Sequence, residues 1–286
     1  MKQFPRTTVG GVSVSRLLIG TNWLLGWSHT SVSADEMIKR RYDSAEKFKP
    51  VLESYLSHGV DSIMAPFGAS PELLRAIQDT EQKMGREIIR IDTPFLNMDD
   101  TAQGRREAEQ AVKESAERGS KICLIHHSCA EQLVNKNLGK MPRLDDYTKM
   151  IRDAGMVPGL SAHMPELVVY SDENGYDVET YIQIFNCMGF LMQVEIETVA
   201  SIIQNAKKPV MTIKPMAAGR VSPYVGLTFS WNAIRERDMV TVGAFSADEA
   251  EEDIEISLAA IEHRFPNLEK RGSPNQHQAA FGGEQK

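Results

Sequence analysis

Short apolar runs recur along the chain, and polar residues follow several of them. Runs of this length, rich in β-branched residues and bounded by turn residues, predict buried strands. The eight predicted strands are Arg16–Asn22, Val60–Ala65, Glu87–Thr93, Lys121–His127, Val157–His163, Tyr181–Asn186, Val210–Lys214 and Met239–Gly243. Segments with helical periodicity separate them. An eightfold alternation of strand and helix within 286 residues predicts an α/β fold, a single (β/α)8 TIM barrel.

Two further β-prone runs flank the glycines at residues 10–11, which predicts a β-hairpin ahead of the first barrel strand. One long helix is predicted over residues 34–57. After the fifth strand, the pattern predicts a short helix over Pro165–Tyr170 and then a loop. The domain prediction is one barrel over residues 1–265, followed by a polar, flexible tail over residues 266–286.

The composition narrows the kind of partner. A formal net charge of −7 argues against nucleic acid and against an anionic membrane surface. The first residues lack the apolar core of a secretory signal, and no apolar run approaches the ~20 residues of a membrane span. Cys123, Cys129 and Cys187 form no CxxC pair, which favours free thiols in a reducing compartment. We therefore expect a cytoplasmic protein with a small-molecule substrate, either a monomer or a homo-oligomer.

Barrel enzymes keep their chemistry at the carboxyl ends of the strands. The polar residues predicted there are Asn22, Asp92, His126, His127, His163, Asn186 and Lys214, with Trp23, Trp27 and His29 on the first loop and Arg220 after the seventh strand. Side chains alternate along a strand, so His126 and His127 cannot both point inward from a regular strand. We expect His126 inside and His127 toward a helix or loop.

Asp92, His126 and His163 end three consecutive predicted strands. Neighbouring strands are about 5 Å apart, so these side chains are placed to converge on one divalent ion. Two imidazoles and a carboxylate suit zinc, manganese, iron or cobalt. The alternative is that the three residues form hydrogen bonds that shape a pocket without metal.

Lys214 ends the seventh predicted strand. A desolvated lysine has a lowered pKa and serves as an acid or base, as a Schiff-base nucleophile, or as an anchor for an anionic group. An ion pair with Asp92 or Glu195 is the plainer alternative. Arg220 follows a glycine, as in turns that receive phosphate or carboxylate, although a solvated loop charge fits equally.

The first loop combines His29 with two aromatic residues, Trp23 and Trp27. Aromatic walls with interspersed polar groups suit sugar-like ligands, and we expect His29 to close over the substrate. The tryptophans alternatively just close the barrel mouth. Asn22 and Asn186 are predicted to orient substrate hydroxyls, or else to hold loops by bonding to backbone.

Several segments together resemble the aldo/keto reductase family. They are Val14–Leu17, Gly20–Trp23, His58–Val60, Gly68–Leu74, Leu124–His126, Gly159–Glu166, Gln183–Asn186 and Val242–Glu252. The resemblance implies a (β/α)8 barrel, and in that family NADPH reduces carbonyls with the help of an Asp, a Tyr, a Lys and a His. Here Met64 and Phe67 replace the Asp and the Tyr, and the third strand ends in Asp92 instead of the Lys. Only the histidine, His126, is matched, so we do not expect NADP as cofactor.

The polar strand ends favour a non-redox barrel enzyme acting on a carbohydrate-like hydroxy-carbonyl compound. Its chemistry would be proton abstraction next to a carbonyl, as in an isomerase, an epimerase or a lyase, with Asp92, His126, Lys214 and His29 as catalytic residues and possible metal assistance. Two alternatives are a divergent NADPH-dependent aldo/keto reductase and a non-catalytic ligand-binding barrel.

Overall fold

The computed structural model describes residues 3–267 and confirms the predicted barrel. An antiparallel hairpin, β1 (Arg6–Val9) and β2 (Val12–Ser15), precedes it. Eight parallel strands close the barrel: β3 (Leu17–Gly20), β4 (Ser62–Ala65), β5 (Ile89–Asp92), β6 (Ser120–Ile125), β7 (Val157–Ala162), β8 (Tyr181–Ile184), β9 (Val210–Ile213) and β10 (Met239–Val242). β10 pairs with β3 and completes the ring. Nearly all of the predicted tail, from residue 268 onward, lies outside the described residues.

Eleven helices are described, and the longer ones surround the barrel. They are α1 (Asn22–Leu25), α2 (Val32–Arg41), α3 (Ala45–Ser57), α4 (Pro71–Met84), α5 (Ala102–Glu117), α6 (His127–Ala130), α7 (Leu144–Asp153), α8 (Glu166–Asn174), α9 (Ile196–Asn205), α10 (Pro223–Ala233) and α11 (Ala247–Ile261). Short 3-10 turns occupy Phe67–Ala69 and Glu131–Leu133. No helix within residues 3–267 is both long and apolar enough to cross a bilayer.

Two helix predictions need correction. The predicted helix over residues 34–57 is two helices, α2 and α3, because the chain turns at Tyr42, whose hydroxyl donates to the Phe245 carbonyl. The short helix predicted at Pro165–Tyr170 continues to Asn174 and ends at Gly175, which has a left-handed φ of 68°. Its polar residues lie largely on the outer face, while Leu167 and Val168 are buried, so a polar run looked like a loop.

The apolar core has two layers. Inside the barrel, one side chain from most strands packs in a central cluster, which includes Leu18, Ile91 and Ile182. Val9 and Val14 of the hairpin join this cluster, so the hairpin closes the amino-terminal end of the barrel, as expected. A larger cluster fills the space between the strands and the helices. The carboxyl ends of the strands are therefore the open end.

Candidate active site

A cavity of ≈ 310 Å³ opens at the carboxyl ends of the strands. Pockets that bind small molecules start at about this volume. Its polar or aromatic lining residues are Asn22, Trp23, Trp27, His29, Thr93, Phe95, His126, His127, Ser161, His163, Lys214 and Thr241, together with Thr21 and Ser28. Among the described residues, no carboxylate side chain lines this cavity. The site combines several imidazoles and one ammonium group without an acidic partner.

Lys214 follows β9 directly and has a left-handed backbone, with φ of 61°. Such a conformation costs a non-glycine residue roughly 1–3 kcal/mol and is concentrated at functional sites. The Nζ atom lies 3.3 Å from His29 Nε2. Burial lowers the pKa of Lys214 to about 8, and no charged neighbour contributes to this shift. Among the described residues, no ion pair joins Lys214 to Asp92 or Glu195, the predicted plainer alternative, and Asp92 lies beside Arg118 instead.

His29 lies on the loop between α1 and α2, also with a left-handed φ, of 57°. Its Nε2 atom is 3.2 Å from Asn22 Nδ2 and 3.3 Å from Lys214 Nζ. Both neighbours carry hydrogens, so Nε2 is the acceptor and the ring proton sits on Nδ1 in the neutral form. Partial burial and the nearby Lys214 lower the pKa of His29. His29 lines the cavity, while its closing over a substrate stays a prediction.

Three histidine rings form a stack that begins at Phe95. The ring centroids are 4.3 Å apart from Phe95 to His126, 4.2 Å from His126 to His127, and 3.7 Å from His127 to His163. Both His126 and His127 line the cavity, so the expectation that His127 faces away is wrong. The cause is local: β6 ends at Ile125, and α6 begins at His127, so the strand alternation no longer applies.

The stack is electrically neutral near pH 7. Burial lowers the pKa of His126 to about 4, and burial followed by the proximity of His127 lowers that of His163 to about 3. His126 Nδ1 accepts a hydrogen bond from the Ser128 backbone N–H, 3.3 Å away. In the neutral ring the proton is therefore on Nε2, which leaves His126 able to donate to a substrate oxygen.

Asp92 does not reach the cavity, and its predicted catalytic and metal-binding roles are wrong. Ile91 points into the barrel, so Asp92, the next residue of β5, points outward to α5. The carboxylate accepts hydrogen bonds from the Phe67 N–H (3.1 Å) and the Ser115 hydroxyl (2.7 Å), and it lies 3.5 Å from Arg118. It is fully buried and joins the barrel wall to α5.

The predicted metal set is consequently not assembled. Within residues 3–267, no group of three or more histidine, cysteine, aspartate or glutamate side chains is arranged to hold a metal ion. His127 and His163 stack with their ring planes only 17° apart. Ligand lone pairs lie in the plane of an imidazole, so nearly parallel rings face to face do not converge on one ion. The residues present do not fit the metal proposal.

Asn186 and Arg220, both predicted to bind substrate, support loops instead. Asn186 is fully buried, donates to the Phe190 carbonyl (3.0 Å) and accepts from the Phe190 N–H (2.9 Å). Arg220 lies over the Phe190 ring at 4.1 Å and donates to the His29 carbonyl at 3.4 Å. Asn186 thus fulfils the alternative role of a loop-holding residue, and Arg220 positions the loop of His29.

The other predicted contacts, Asn22, Trp23 and Trp27, do line the cavity. Trp23 packs edge-on against Phe245, with centroids 6.3 Å apart, and Trp27 is 38% exposed at the mouth. These positions are compatible with both predicted roles of the tryptophans, as aromatic walls for a ligand and as side chains that only close the barrel mouth.

Five hydroxyl residues of the lining were missed by the sequence interpretation: Thr21, Ser28, Thr93, Ser161 and Thr241. Ser161 precedes His163 by two positions along the same chain segment, and this period-two spacing is the signal that indicates a shared face. Thr241 Oγ1 is buried without a hydrogen-bond partner among the residues that the structure describes. A buried hydroxyl of this kind, in a cavity wall, is available to a ligand.

The reductase set implied by the resemblance is absent from the cavity apart from one residue. Met64 lines the cavity where the family has its aspartate, and Phe67 is 1% exposed within the outer core. Thr93, not a lysine, is the lining residue after β5. His126 alone lines the cavity as the resemblance implies.

Comparison with solved structures shows the fold. A provisionally assigned aldo-keto reductase of Pseudomonas aeruginosa matches with a TM-score of 0.65 at 13% identity, covering 91% of this chain and 98% of that one. Aldose reductase from Giardia lamblia matches at 0.55 and 10% identity, over 93% and 90% of the two chains. A truncated 3-deoxy-D-arabino-heptulosonate 7-phosphate synthase from Thermotoga maritima matches at 0.51 and 12% identity, over 91% and 90%.

No family model and no curated protein matches the sequence. The matching structures include both reductases and a synthase, and at identities this low the likeness extends to the barrel alone. Information about the reaction therefore comes from the residues that line the cavity, and not from the fold.

Proposed function

We propose that this protein is an enzyme that transfers a proton next to the carbonyl group of a small, carbohydrate-like hydroxy-carbonyl compound, as an isomerase, epimerase or lyase does. The observation that carries the proposal is Lys214, an amine with no carboxylate partner in the described part of the chain, beside the acceptor nitrogen of His29 in a cavity of ≈ 310 Å³. Titratable groups with shifted pKa values in a cleft are typical of catalytic sites.

Removing a proton next to a carbonyl requires that electrons be drawn toward the carbonyl. Burial lowers the pKa of Lys214 to about 8, so near pH 7 this group is present as both ammonium and amine, whereas His126 and His163, with pKa values of about 4 and 3, are neutral. His126, neutral and with its proton on Nε2, is suited to donate to the carbonyl oxygen. A neutral imidazole acts as an electrophile in this way in other barrel enzymes.

The remaining lining suits a polyhydroxylated compound. Asn22, Ser161 and Thr241 offer amide and hydroxyl groups, and the Trp23 and Trp27 rings offer faces for C–H groups. Within residues 3–267, no arginine lines the cavity, and Lys214 is the one lysine that does. We therefore infer that the substrate is recognised mainly through its hydroxyls.

Solvent-exchange NMR tests this proposal. Dihydroxyacetone, glyceraldehyde and hydroxypyruvate are incubated in D₂O with the protein, and the loss of the proton signal next to each carbonyl is followed. We expect the wild type to accelerate exchange for at least one probe, and Lys214→Met to reduce the rate by about 10²-fold or more.

The matched control is Lys113→Met, because Lys113 is exposed on α5 and pairs with Glu109. Its exchange rate should equal that of the wild type. Exchange at the buffer rate with every probe, or an unchanged rate in Lys214→Met, would contradict the proposal.

A divergent NADPH-dependent reductase is the second candidate, favoured by the fold and by His126 in the cavity. Titration of NADPH fluorescence with the wild type separates the two proposals. Binding at micromolar concentration, with oxidation of NADPH by a carbonyl probe, would favour the reductase. The absence of binding, with solvent exchange intact, would favour proton transfer.

A further inference from the structure

We infer that Lys214 acts by forming a Schiff base with the carbonyl carbon of an uncharged hydroxy-ketone or hydroxy-aldehyde. The inference rests on the proposed function and states how that function is carried out. Three arrangements support it: the environment of the amine, the acceptor beside it, and the bracing of the two loops that hold them.

The first arrangement is the environment of the Lys214 side chain. A nucleophilic amine must not be held as an ammonium by a carboxylate. Other lysines of this chain do have such partners, for example Lys136 with Glu166 at 3.0 Å and Lys149 with Asp153 at 2.6 Å. Lys214 lies instead among Ile213, Pro215 and Met216 in the cavity wall, and burial favours its uncharged form.

The second arrangement is the acceptor. An attacking amine has to release a proton, and a lysine that only bound an anion would have no use for a proton acceptor. His29 Nε2 lies 3.3 Å from Nζ and is the acceptor nitrogen of the ring, since the ring proton is on Nδ1. Asn22 Nδ2, 3.2 Å from the same nitrogen, fixes the ring orientation.

The third arrangement is the bracing of the two loops. Arg220 Nη1 donates to the His29 carbonyl (3.4 Å) and to the Ala217 carbonyl (3.1 Å), so one guanidinium ties the loop of His29 to the turn after Lys214. Ala217 and Ala218 in that turn have left-handed φ values of 48° and 56°. The surrounding contacts hold this strained backbone in place, which fixes the separation between Lys214 Nζ and His29 Nε2. Arg220 is thus a positioning residue.

The chemical steps balance without an oxidant or reductant. Lys214 Nζ bonds to the carbonyl carbon, the π electrons move to the oxygen, and the Nζ proton passes by way of His29 to that oxygen. The carbinolamine hydroxyl then takes up one proton from solvent and leaves as water, and the nitrogen lone pair forms the C=N bond of a protonated imine; the later hydrolysis returns this proton to solvent. An imidazole of the stack removes the adjacent C–H proton to give an enamine. Return of a proton, or loss of a β-hydroxyl as water, followed by hydrolysis, releases the product and restores the amine.

The protonated imine is also needed for the neutral imidazoles to remove a proton from carbon. Burial keeps His126 and His163 weakly basic, with pKa values of about 4 and 3. Such bases remove a proton only from carbon that is strongly acidified, and a covalently bound positive nitrogen acidifies it more than a hydrogen bond does. Once Lys214 is consumed in this bond, no lysine or arginine of the described lining is left to pair a phosphate, which favours an uncharged substrate.

Borohydride trapping tests the inference. The full chain is mixed with dihydroxyacetone, the imine is reduced with sodium borohydride, and the modified peptide is found by mass spectrometry. We expect about one adduct per chain, located at Lys214, with a mass gain equal to that of the probe less one oxygen atom. Localisation in the wild type needs no variant, so it holds even if a substitution at residue 214 disturbs folding.

Two variants sharpen the result. Lys214→Arg keeps the positive charge but forms no imine, so trapping should vanish and solvent exchange should fall to the buffer rate. Lys113→Arg, the matched exposed control, should trap as the wild type does. His29→Gln should slow trapping about 10-fold or more without moving the adduct to another residue, because it removes the proton acceptor.

The outcomes separate the two proposals. Catalysed solvent exchange without an adduct at Lys214, or with exchange intact in Lys214→Arg, would overturn the Schiff base and leave the proposed function standing. Adducts spread over exposed lysines at equal yield would also overturn the inference. Neither exchange nor trapping would overturn both proposals.

Discussion

The stacked rings of His126, His127 and His163 place three half-buried imidazoles in one wall of the cavity. Burial disfavours the charged form of each ring, and His127 also disfavours a charge on His126 and on His163. The free energy of unfolding should therefore depend on pH below neutrality, because the histidines of the unfolded chain bind protons there and the stacked histidines of the folded chain do not.

The sign of this dependence follows from the two pKa values. Unfolded histidine titrates near 6.5, whereas His126 and His163 titrate at about 4 and 3 in the folded state. Above pH 6.5 neither state is protonated, and between about pH 6.5 and 4 only the unfolded state is. The free energy of unfolding should fall with decreasing pH in that window, by at most about 1.4 kcal/mol per pH unit for each ring, less solvent screening.

Urea denaturation at a series of pH values measures this effect. His163→Phe keeps an aromatic ring against His127 and removes one titrating group, so its stability should decline less steeply between pH 6.5 and 4. The control is His58→Phe, since His58 lies at the end of α3 and outside the cavity. Equal slopes for His163→Phe and the wild type would show that the stack is not held neutral by burial.

Element boundaries decide which parts of the site a sequence can predict. Period-two alternation holds within a strand, and the apolar runs therefore located all eight barrel strands. At a strand end the rule fails: His126 and His127 both line the cavity because α6 begins there. Asp92 illustrates a second limit. Because Asp92 is polar, the sequence interpretation placed it in the cavity. It follows the inward-pointing Ile91 by one residue, however, so its side chain points outward to α5.

Lys214 and His29 were found as individual candidates, whereas their contact was not. They are 185 residues apart in sequence and come within 3.3 Å only because the first loop folds back over the cavity. No local pattern encodes that approach. It depends on left-handed backbone at both residues and on the bracing by Arg220.

Helix α10 offers a test of how tightly the Lys214 turn is held. A Cβ at Gly226 would lie 2.6 Å from the Pro215 carbonyl oxygen, one residue after Lys214. Gly226→Ala should therefore push the turn, cost about 1–3 kcal/mol of stability and lower the exchange rate about 10- to 100-fold. Thermal denaturation and solvent-exchange NMR measure the two effects.

Gly104→Ala on α5 is the matched control. Its Cβ would lie 2.7 Å from the Asp99 carbonyl oxygen, an equally close approach to backbone, but Asp99 does not line the cavity. We expect a similar loss of stability with an exchange rate near that of the wild type. A similar loss of activity in both variants would mean that the Lys214 turn has no special role.

At the scale of the whole molecule, the two ends of the barrel differ: one is closed by apolar packing, and the other is open. The hairpin and the interior apolar cluster close the amino-terminal end, and the carboxyl end carries the cavity. The resemblance to aldo/keto reductases was informative for the fold because it rests on the order of many weak motifs. It was uninformative for the chemistry, because activity depends on a few strand-end residues, and those differ here.

Both proposals require that part of the Lys214 population be an uncharged amine near neutral pH. Carbon-13 NMR of lysine Cε, with the Lys214 signal assigned by its loss in Lys214→Arg, gives the pKa directly. A value of about 8 for Lys214 is predicted. A value at or above the ordinary 10.5 would mean that Lys214 is a permanent cation, and it would contradict both the proton-transfer chemistry and the Schiff base.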